Sequence, residues 1–193
     1  MENIGKLKDE VLVRDYLSGD DSAFTLIVEK YLKPIYNFVY RMTKNKKDAE
    51  EITQESFIKI WKNLKKFKQT EKLKTWMFAI ARNTAVDSLR KKKAVLFSEF
   101  DNENEEDVFE NMLADDEMIA DEIFEIAEKK DLVNKLLGNM PIKYRDVLLL
   151  YYKEELSFSE ISKMLKKSIN TVKSRHRRAL LSLKEKLKNA PKL

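Results

Sequence analysis

One apolar stripe constrains the fold of this chain more than any other feature of its sequence. Between Asp21 and Met42, apolar side chains recur every three or four residues, which is the spacing of one helix face and not of a strand. With three glycines and three prolines in 193 residues, the chain also has few residues for the turns of a sheet-rich fold. The sequence therefore predicts an all-α protein. The stripe consists of Phe24, Ile27, Val28, Tyr31, Ile35, Phe38, Val39 and Met42.

The same spacing predicts three more helices in the first half of the chain. They cover residues 10–17, 48 to about 64, and 73–90. The polar stretch "KKFKQTEK" (65–72) is predicted to be a loop, and the basic run "RKKK" (90–93) ends this part of the chain.

Charge is distributed unevenly along the chain. Residues 1–93 carry 21 Lys/Arg against 13 Asp/Glu, residues 94–131 carry 2 against 15, and residues 132–193 carry 15 against 5. This pattern predicts two helical domains that face nucleic acid and an acidic linker between them, although ordinary solvated helix surface remains an alternative. We place the domains at 1–93 and 121–193 and the linker at 94–120.

Several classes of function are disfavoured by what the sequence lacks. Without cysteine there is no disulfide or thiolate metal site, and the single histidine, His176, cannot form a multi-histidine site. We therefore expect no metal and no cofactor. A nucleic-acid enzyme would need clustered carboxylates, and the best candidates, Asp115, Asp116 and Glu117, fall in the acidic linker. The N-terminus does not resemble a secretory signal, and no apolar run is long enough for a membrane span, so we expect a cytoplasmic protein without catalytic activity.

The C-terminal part has the pattern of a helix-turn-helix. Ser157 and Glu160 form a capping signature at the start of a short helix. A short turn through Lys166 and Lys167 follows, and Ser168 is placed to cap a longer basic helix. A short helix, a tight turn and a longer basic helix are typical of DNA-binding proteins.

The longer helix has two distinct faces. One arc of about 100° is apolar and is predicted to be core; it contains Val172, His176, Ala179, Leu180, Leu183 and Leu187. The polar side chains at its N-terminal half are predicted to face DNA, because this end of a recognition helix reaches the base edges. They are Thr171, Lys173, Ser174, Arg177 and Arg178, with Arg175 at the border within reach of phosphate. A basic helix in an ordinary bundle is the alternative, and His176 is expected at a helix–helix contact rather than on DNA.

The helix predicted at 48–64 has an unusual outer face. Acidic side chains surround an apolar one, which favours a binding surface for a basic protein partner, with a plain solvated face as the alternative. This acidic face comprises Asp48, Glu51, Gln54, Glu55 and Ile58. The opposite side is predicted to be core and comprises Ala49, Phe57, Ile60, Trp61 and Leu64.

The helix predicted at 73–90 presents an aromatic, an amide and charged groups along one side. Trp76, Asn83, Asp87 and Arg90 share this face. Such a combination suits single-stranded DNA, because bases stack on aromatic rings and the backbone follows positive charge. Trp76 as a core residue is the alternative interpretation.

Four stretches, taken together and in this order, carry a family resemblance. They are "DAEEITQESFIKIW", "TWMFAIARNTAVDSLRKKK", "MPIKYRDVLLLYYKEELSFSEI" and "NTVKSRHRRAL". They resemble the signature segments of extracytoplasmic-function (ECF, group 4) sigma factors of the sigma-70 family, the small two-domain initiation subunits of bacterial RNA polymerase. The resemblance runs from about Val13 to Leu187.

The resemblance implies a role for each surface. The acidic face would bind the clamp helices of the largest subunit of core RNA polymerase. The helix at 73–90 and the loop before it would open and read the −10 promoter element through Phe67, Lys68, Trp76, Asn83, Asp87 and Arg90. The helix-turn-helix would read the −35 element in duplex DNA through Thr171, Lys173, Ser174, Arg175, Arg177 and Arg178. The acidic linker would thread through basic channels of the polymerase, and an anti-sigma factor is implied as a further partner.

Two positions depart from the family pattern. Members usually have glycine and an apolar residue where Lys166 and Lys167 stand. Either Lys166 is strained at a positive φ, or the turn is relaxed and adds phosphate contacts. His176 stands at a position that is usually aliphatic. The alternative function is a stand-alone helix-turn-helix transcription regulator, which would usually dimerise on a palindrome, but the sequence shows no sustained heptad for dimerisation.

Overall fold

The computed structural model describes residues 8–68, 70–96 and 136–188, and every regular element in these ranges is a helix. The prediction of an all-α protein is therefore confirmed. The chain divides into two compact units, Met1–Ser98 and Glu99–Leu193. Residues 94–96 of the predicted linker still belong to a helix, and the rest of that linker, with Asp115, Asp116 and Glu117, lies outside the described residues.

Residues 8–68 and 70–96 of the N-terminal unit form four α-helices. These are α1 (Asp9–Leu17), α2 (Asp21–Thr43), α3 (Lys46–Asn63), which continues into a short 3₁₀ turn (Leu64–Lys66), and α4 (Leu73–Leu96). All four predicted helices are present, but α3 begins before Asp48 and α4 runs beyond Arg90.

The early start of α3 has a local cause. The side chain of Asn45 accepts a hydrogen bond from the backbone N–H of Asp48, at 3.0 Å, and so caps the helix. The residue before it, Lys44, has a φ of 57° and ends α2 in the left-handed conformation. Lys46 and Lys47, which precede the predicted start of this helix at Asp48, therefore belong to the first turn of α3.

Helix α2 is central to the N-terminal unit and contacts α1, α3 and α4. Most of its apolar stripe is fully buried, and the ring of Phe38 packs edge-on against Phe78 of α4 with 5.4 Å between centroids. Asp9 joins α1 to α2, because its carboxylate accepts hydrogen bonds from Lys30 (2.8 Å) and from the hydroxyl of Tyr31 (2.6 Å). Burial, and then the adjacent Asp9 carboxylate, raise the pKa of Tyr31 above its ordinary range, so this hydroxyl remains a donor.

The C-terminal unit is described from residue 136 and contains three named helices, α5 (Ile142–Tyr152), α6 (Phe158–Leu165) and α7 (Ile169–Lys188). Each packs against the other two. The predicted capping box at the start of α6 is confirmed: Ser157 accepts from the backbone of Glu160, whose carboxylate accepts from the backbone of Ser157. Helices α6 and α7 with the turn between them form the predicted helix-turn-helix.

Candidate protein and nucleic-acid interfaces

The outer face of α3 combines exposed acidic side chains with an exposed apolar one. Glu51, Gln54 and Glu55 are exposed, and the side chain of Ile58 is 52% exposed among them. Lys47 lies 4.0 Å from Glu51 and Lys59 lies 2.8 Å from Glu55, both one helical turn away. Exposed pairs of this kind contribute only about 0.3–0.5 kcal/mol, so both carboxylates can exchange them for a partner at low cost.

Two residues of α3 lie elsewhere than predicted. Trp61 is 51% exposed, whereas the sequence placed it in the core. The neighbouring Ile60 is fully buried, so Trp61 is turned about 100° away from the core and lies beside Ile58. Asp48 is withdrawn from the acidic face, because it forms an ion pair with Lys92 of α4 and its side chain is only 13% exposed. The pairing joins residues 44 apart in sequence, and helical spacing could not have revealed it.

The outer face of α4 presents three of its four predicted side chains to solvent. Asn83, Asp87 and Arg90 are exposed, at a spacing that puts them on one side of the helix. The neighbouring Arg82 donates a hydrogen bond to the amide oxygen of Asn83 at 3.3 Å. In the segment before α4, Lys68 is exposed. These side chains form a mixed, mostly polar surface.

The two aromatic residues predicted to touch DNA lie against each other instead. Phe67 is only 9% exposed, and its ring centroid lies 5.1 Å from that of the half-buried Trp76. Phe67 is therefore part of the core, and little of its side chain is accessible to nucleic acid. The polar sequence around Phe67 did not reveal this packing, because the partner ring, Trp76, lies in the following helix. Trp76 packs against Phe67 but is only half-buried, so its exposure lies between that of a core residue and that of a base-stacking surface residue.

The N-terminal end of α7 is capped as predicted and directs basic side chains outward. The hydroxyl of Ser168 accepts a hydrogen bond from the backbone N–H of Thr171 at 3.0 Å. Lys173 and Arg178 are exposed. The remaining predicted DNA contacts are half-buried at the edges of the helix; they are Thr171, Ser174, Arg175 and Arg177.

The opposite face of α7 is the predicted core. Val172, Ala179 and Leu183 are at most 3% exposed, and His176 is 2% exposed. The His176 ring lies among three aromatic rings of α5 and α6, with Nε2 3.2 Å from the hydroxyl of Tyr152. Ring centroids are 4.9 Å away for Tyr151, 5.5 Å for Tyr152 and 5.1 Å for Phe158. The prediction that His176 lies at a helix–helix contact is confirmed, and the histidine joins α7 to both of its neighbours.

Arg145 of α5 was not identified from the sequence. It is 9% exposed, and its Nη2 donates hydrogen bonds to the backbone oxygens of Gly138 and Met140, each at 2.7 Å. Burial lowers the pKa of its guanidinium. Since its acceptors are backbone carbonyls in the turn before α5, no side-chain pattern could have revealed them. Arg145 fixes the start of the helix that supports His176.

The turn before α7 shows which of the two expected conformations Lys166 adopts. This residue has a φ of 52° and a ψ of 43°, so it adopts the left-handed conformation that favours glycine and ends α6. The turn is therefore tight and not relaxed. Lys166 and Lys167 are both exposed beside the N-terminal end of α7.

Replacing Lys166 with glycine should stabilise the C-terminal unit by about 1 kcal/mol, because glycine adopts positive φ without the steric cost that lysine bears. The measurement is urea unfolding of the full chain followed by far-UV circular dichroism. Lys167→Gly is the matched control: it removes the same charge where φ is not positive, and should destabilise the unit. A loss of stability in Lys166→Gly equal to that in the control would contradict the assignment of strain.

Within residues 8–68, 70–96 and 136–188, no group of three or more histidine, cysteine or carboxylate side chains is arranged to hold a metal ion. In the same ranges, no helix is both long and apolar enough to cross a membrane.

A helix-turn-helix is typical of DNA-binding transcription proteins, and the N-terminal unit of the same chain presents an exposed acidic face on α3. Residues 27–95 match the family model of Sigma-70 region 2, and residues 130–183 match that of Sigma-70, region 4. The chain is 33% identical over 179 residues to the ECF RNA polymerase sigma factor SigW of Bacillus subtilis (strain 168), covering 92% of this chain and 95% of SigW. It is 29% identical over 187 residues to the ECF RNA polymerase sigma-E factor of Salmonella typhimurium (strain LT2), covering 94% and 95%.

The chain belongs to the ECF RNA polymerase sigma factors of the sigma-70 family. It is a transcription initiation factor that acts with RNA polymerase and binds DNA. Because the chain belongs to this family, the alternative function, a stand-alone helix-turn-helix transcription regulator, is rejected.

Two solved structures share the fold. The chain superposes on the sigma factor RpoE from Bartonella quintana, in complex with the anti-sigma factor NepR, with a TM-score of 0.63 and 20% identity, covering 88% of this chain and 98% of RpoE. It superposes on CnrH, in complex with the cytosolic domain of CnrY, with a TM-score of 0.65 and 19% identity, covering 94% and 97%.

Proposed function

We propose that this sigma factor directs core RNA polymerase to promoters by reading a −10 element with its N-terminal unit and a −35 element with its C-terminal unit. The observation that carries the proposal is the division of α7 into a buried apolar face and a basic face on which Lys173 and Arg178 are exposed. We place the chain in group 4, because its region 2 and region 4 matches leave only residues 96–129 between them. It would act in the cytoplasm, without catalysis of its own.

Polymerase binding is proposed for the outer face of α3. Glu51, Gln54 and Glu55 supply negative charge for a basic partner, and Ile58 supplies exposed apolar surface. We add Trp61 to this surface, since large aromatic side chains that become buried on binding contribute most to protein interfaces. Asp48 would act indirectly, by holding α4 against α3 through Lys92.

Recognition of the −10 element is proposed for the outer face of α4 and the segment before it. Asn83 is exposed and has the amide groups that can read a base edge, while Lys68 and Arg90 are exposed cations for the DNA backbone. Trp76 retains accessible ring surface for stacking on a base. Asp87 lies on the same face, and Phe67 would support Trp76 from below without touching DNA.

Recognition of the −35 element is proposed for α7. Its N-terminal half would enter the major groove, so that Arg177 and Arg178 reach bases while Lys173 and Arg175 contact phosphate. Ser174 lies between them, and Thr171 belongs to the capped first turn. Each unit offers few contacts alone, so the free protein should bind DNA weakly and in a salt-dependent manner.

Arg177→Ala and Arg178→Ala should each weaken −35 recognition by about 1–3 kcal/mol if the arginine contacts a base, because each removes a two-pronged donor. The measurement is promoter binding by the holoenzyme, with the −35 base pairs varied one at a time. Lys153→Ala, which removes an exposed cation at the end of α5, is the control and should leave base preference unchanged. An unaltered promoter preference in both arginine variants would contradict the assigned face.

An anti-sigma factor is the further proposed partner, as NepR is for RpoE of Bartonella quintana. An anti-sigma factor that covers the acidic face of α3 would compete with polymerase for it. The proposed function is tested by co-purification of the tagged full chain with core RNA polymerase. We expect a stoichiometric complex, and a chain that remains separate from the core enzyme would refute the proposal.

A further inference from the structure

Asn170 occupies the second position of the recognition helix α7 and has no assigned role. Its side chain is exposed, and its amide makes no hydrogen bond to any residue that the structure describes. A polar side chain at this end of a recognition helix is within reach of base edges when the helix lies in the major groove. The amide is therefore available to a ligand.

The neighbours of Asn170 are less available. Thr171 belongs to the helix cap: its backbone N–H donates to the hydroxyl of Ser168 at 3.0 Å, and the two hydroxyl oxygens are 2.9 Å apart. Ile169 is apolar, with 43% of its surface exposed. Asn170 is thus the first side chain of α7 that has both donors and an acceptor to offer.

Helical spacing places Asn170 on the proposed reading face. Ser174 and Arg177 follow it at intervals of four and three residues, so the three side chains form one strip along the helix. The strip lies away from the buried residues His176 and Leu183. Asn170 and Arg177 are seven residues apart, about 10 Å along the axis, which is roughly three base-pair steps.

The side-chain chemistry selects one base. A carboxamide presents an acceptor and a donor side by side, and the major-groove edge of adenine presents the complementary N6–H donor and N7 acceptor. We propose that Asn170 reads an adenine in the −35 element, with Oδ1 accepting from N6–H and Nδ2 donating to N7. This inference rests on the proposed −35 role of α7, and it places the adenine within about three base pairs of any guanine read by Arg177.

The test uses the full chain assembled with core RNA polymerase on a promoter library in which the upstream element is randomised. The measurement is base enrichment at every position for the native protein, Asn170→Ala and Asn170→Asp. At one position the native protein should prefer adenine by about 5-fold to 150-fold, and Asn170→Ala should lose that preference alone. Asn170→Asp should shift it toward cytosine, whose N4–H group donates to a carboxylate.

Two controls separate base reading from a structural effect. Asn139→Ala removes an exposed amide in the same unit, outside α7, and should reproduce the native preferences. Alanine is a better helix former than asparagine, so Asn170→Ala should keep α7 folded. In the promoter so identified, 7-deazaadenine at that position removes the N7 acceptor; it should weaken binding by the native protein and leave binding by Asn170→Ala unchanged.

The possible failures are distinguishable. If Asn170→Ala keeps every base preference of the native protein, the adenine assignment is wrong while the −35 role of α7 stands. If the native holoenzyme enriches no upstream base at all, the proposed −35 function fails and the adenine assignment fails with it.

Discussion

The double substitution Glu51→Lys with Glu55→Lys should abolish binding to core RNA polymerase and leave the chain folded. Both side chains are exposed on the acidic face of α3, and reversing their charge sets two cations against a basic partner, a juxtaposition that costs several kcal/mol. Folding should lose little: the pairs with Lys47 and Lys59 are exposed, and their replacement by like charges costs a few tenths of a kcal/mol each. The measurement is affinity for core enzyme, with circular dichroism as the check on folding.

Glu10→Lys with Glu29→Lys is the matched control for this experiment. It reverses two exposed carboxylates on α1 and α2 and changes the net charge by the same amount. A general electrostatic effect would weaken binding equally in both double variants. A specific binding surface on α3 predicts a large loss of affinity in the Glu51→Lys, Glu55→Lys variant and a small loss in the control. Retained binding in the α3 variant would show that polymerase docks elsewhere.

Arg145→Ala should destabilise the C-terminal unit by about 2–4 kcal/mol. The substitution removes two hydrogen bonds from a charged, buried donor and leaves the carbonyl oxygens of Gly138 and Met140 without it. Because Arg145 fixes the turn before α5, and α5 supports His176 of α7, −35 recognition should weaken although Arg145 lies off the reading face. The measurement is urea unfolding of the full chain.

The chain itself offers a way to assign this loss to one unit. Both of its tryptophans, Trp61 and Trp76, lie in the N-terminal unit, so tryptophan fluorescence reports that unit, while far-UV circular dichroism reports both. Arg145→Ala should shift the circular dichroism transition to lower urea and leave the fluorescence midpoint in place. Arg145→Lys keeps the charge but replaces the planar guanidinium with a compact, flexible ammonium group, and should recover only part of the loss. An unshifted circular dichroism transition would mean that these hydrogen bonds contribute nothing.

The sequence predicted best what depends on local spacing. The capping box of Ser157 and Glu160, the Ser168 cap and the buried position of His176 all follow from intervals of three or four residues along one helix. Within a helix such intervals determine which side chains share a face, so the apolar arc of α7 could be found without a structure.

Helical spacing does not reveal a contact whose partner lies in another element. Phe67 packs on Trp76 across a loop, and Asp48 pairs with Lys92 of the following helix. Trp61 was misplaced for a different reason, since it lies at the margin of the apolar arc, where helical spacing alone does not separate core from surface. Long-range packing decides such marginal positions, and one sequence contains no record of it.

The central claim is that this chain gives core RNA polymerase the ability to start at particular promoters. The most direct measurement is run-off transcription with purified core enzyme and the purified full chain on fragments of the native genome. We expect discrete transcripts whose start sites share two upstream elements, and none with core enzyme alone or with the Glu51→Lys, Glu55→Lys variant. The same transcripts with and without the chain, or none from any fragment, would contradict the claim.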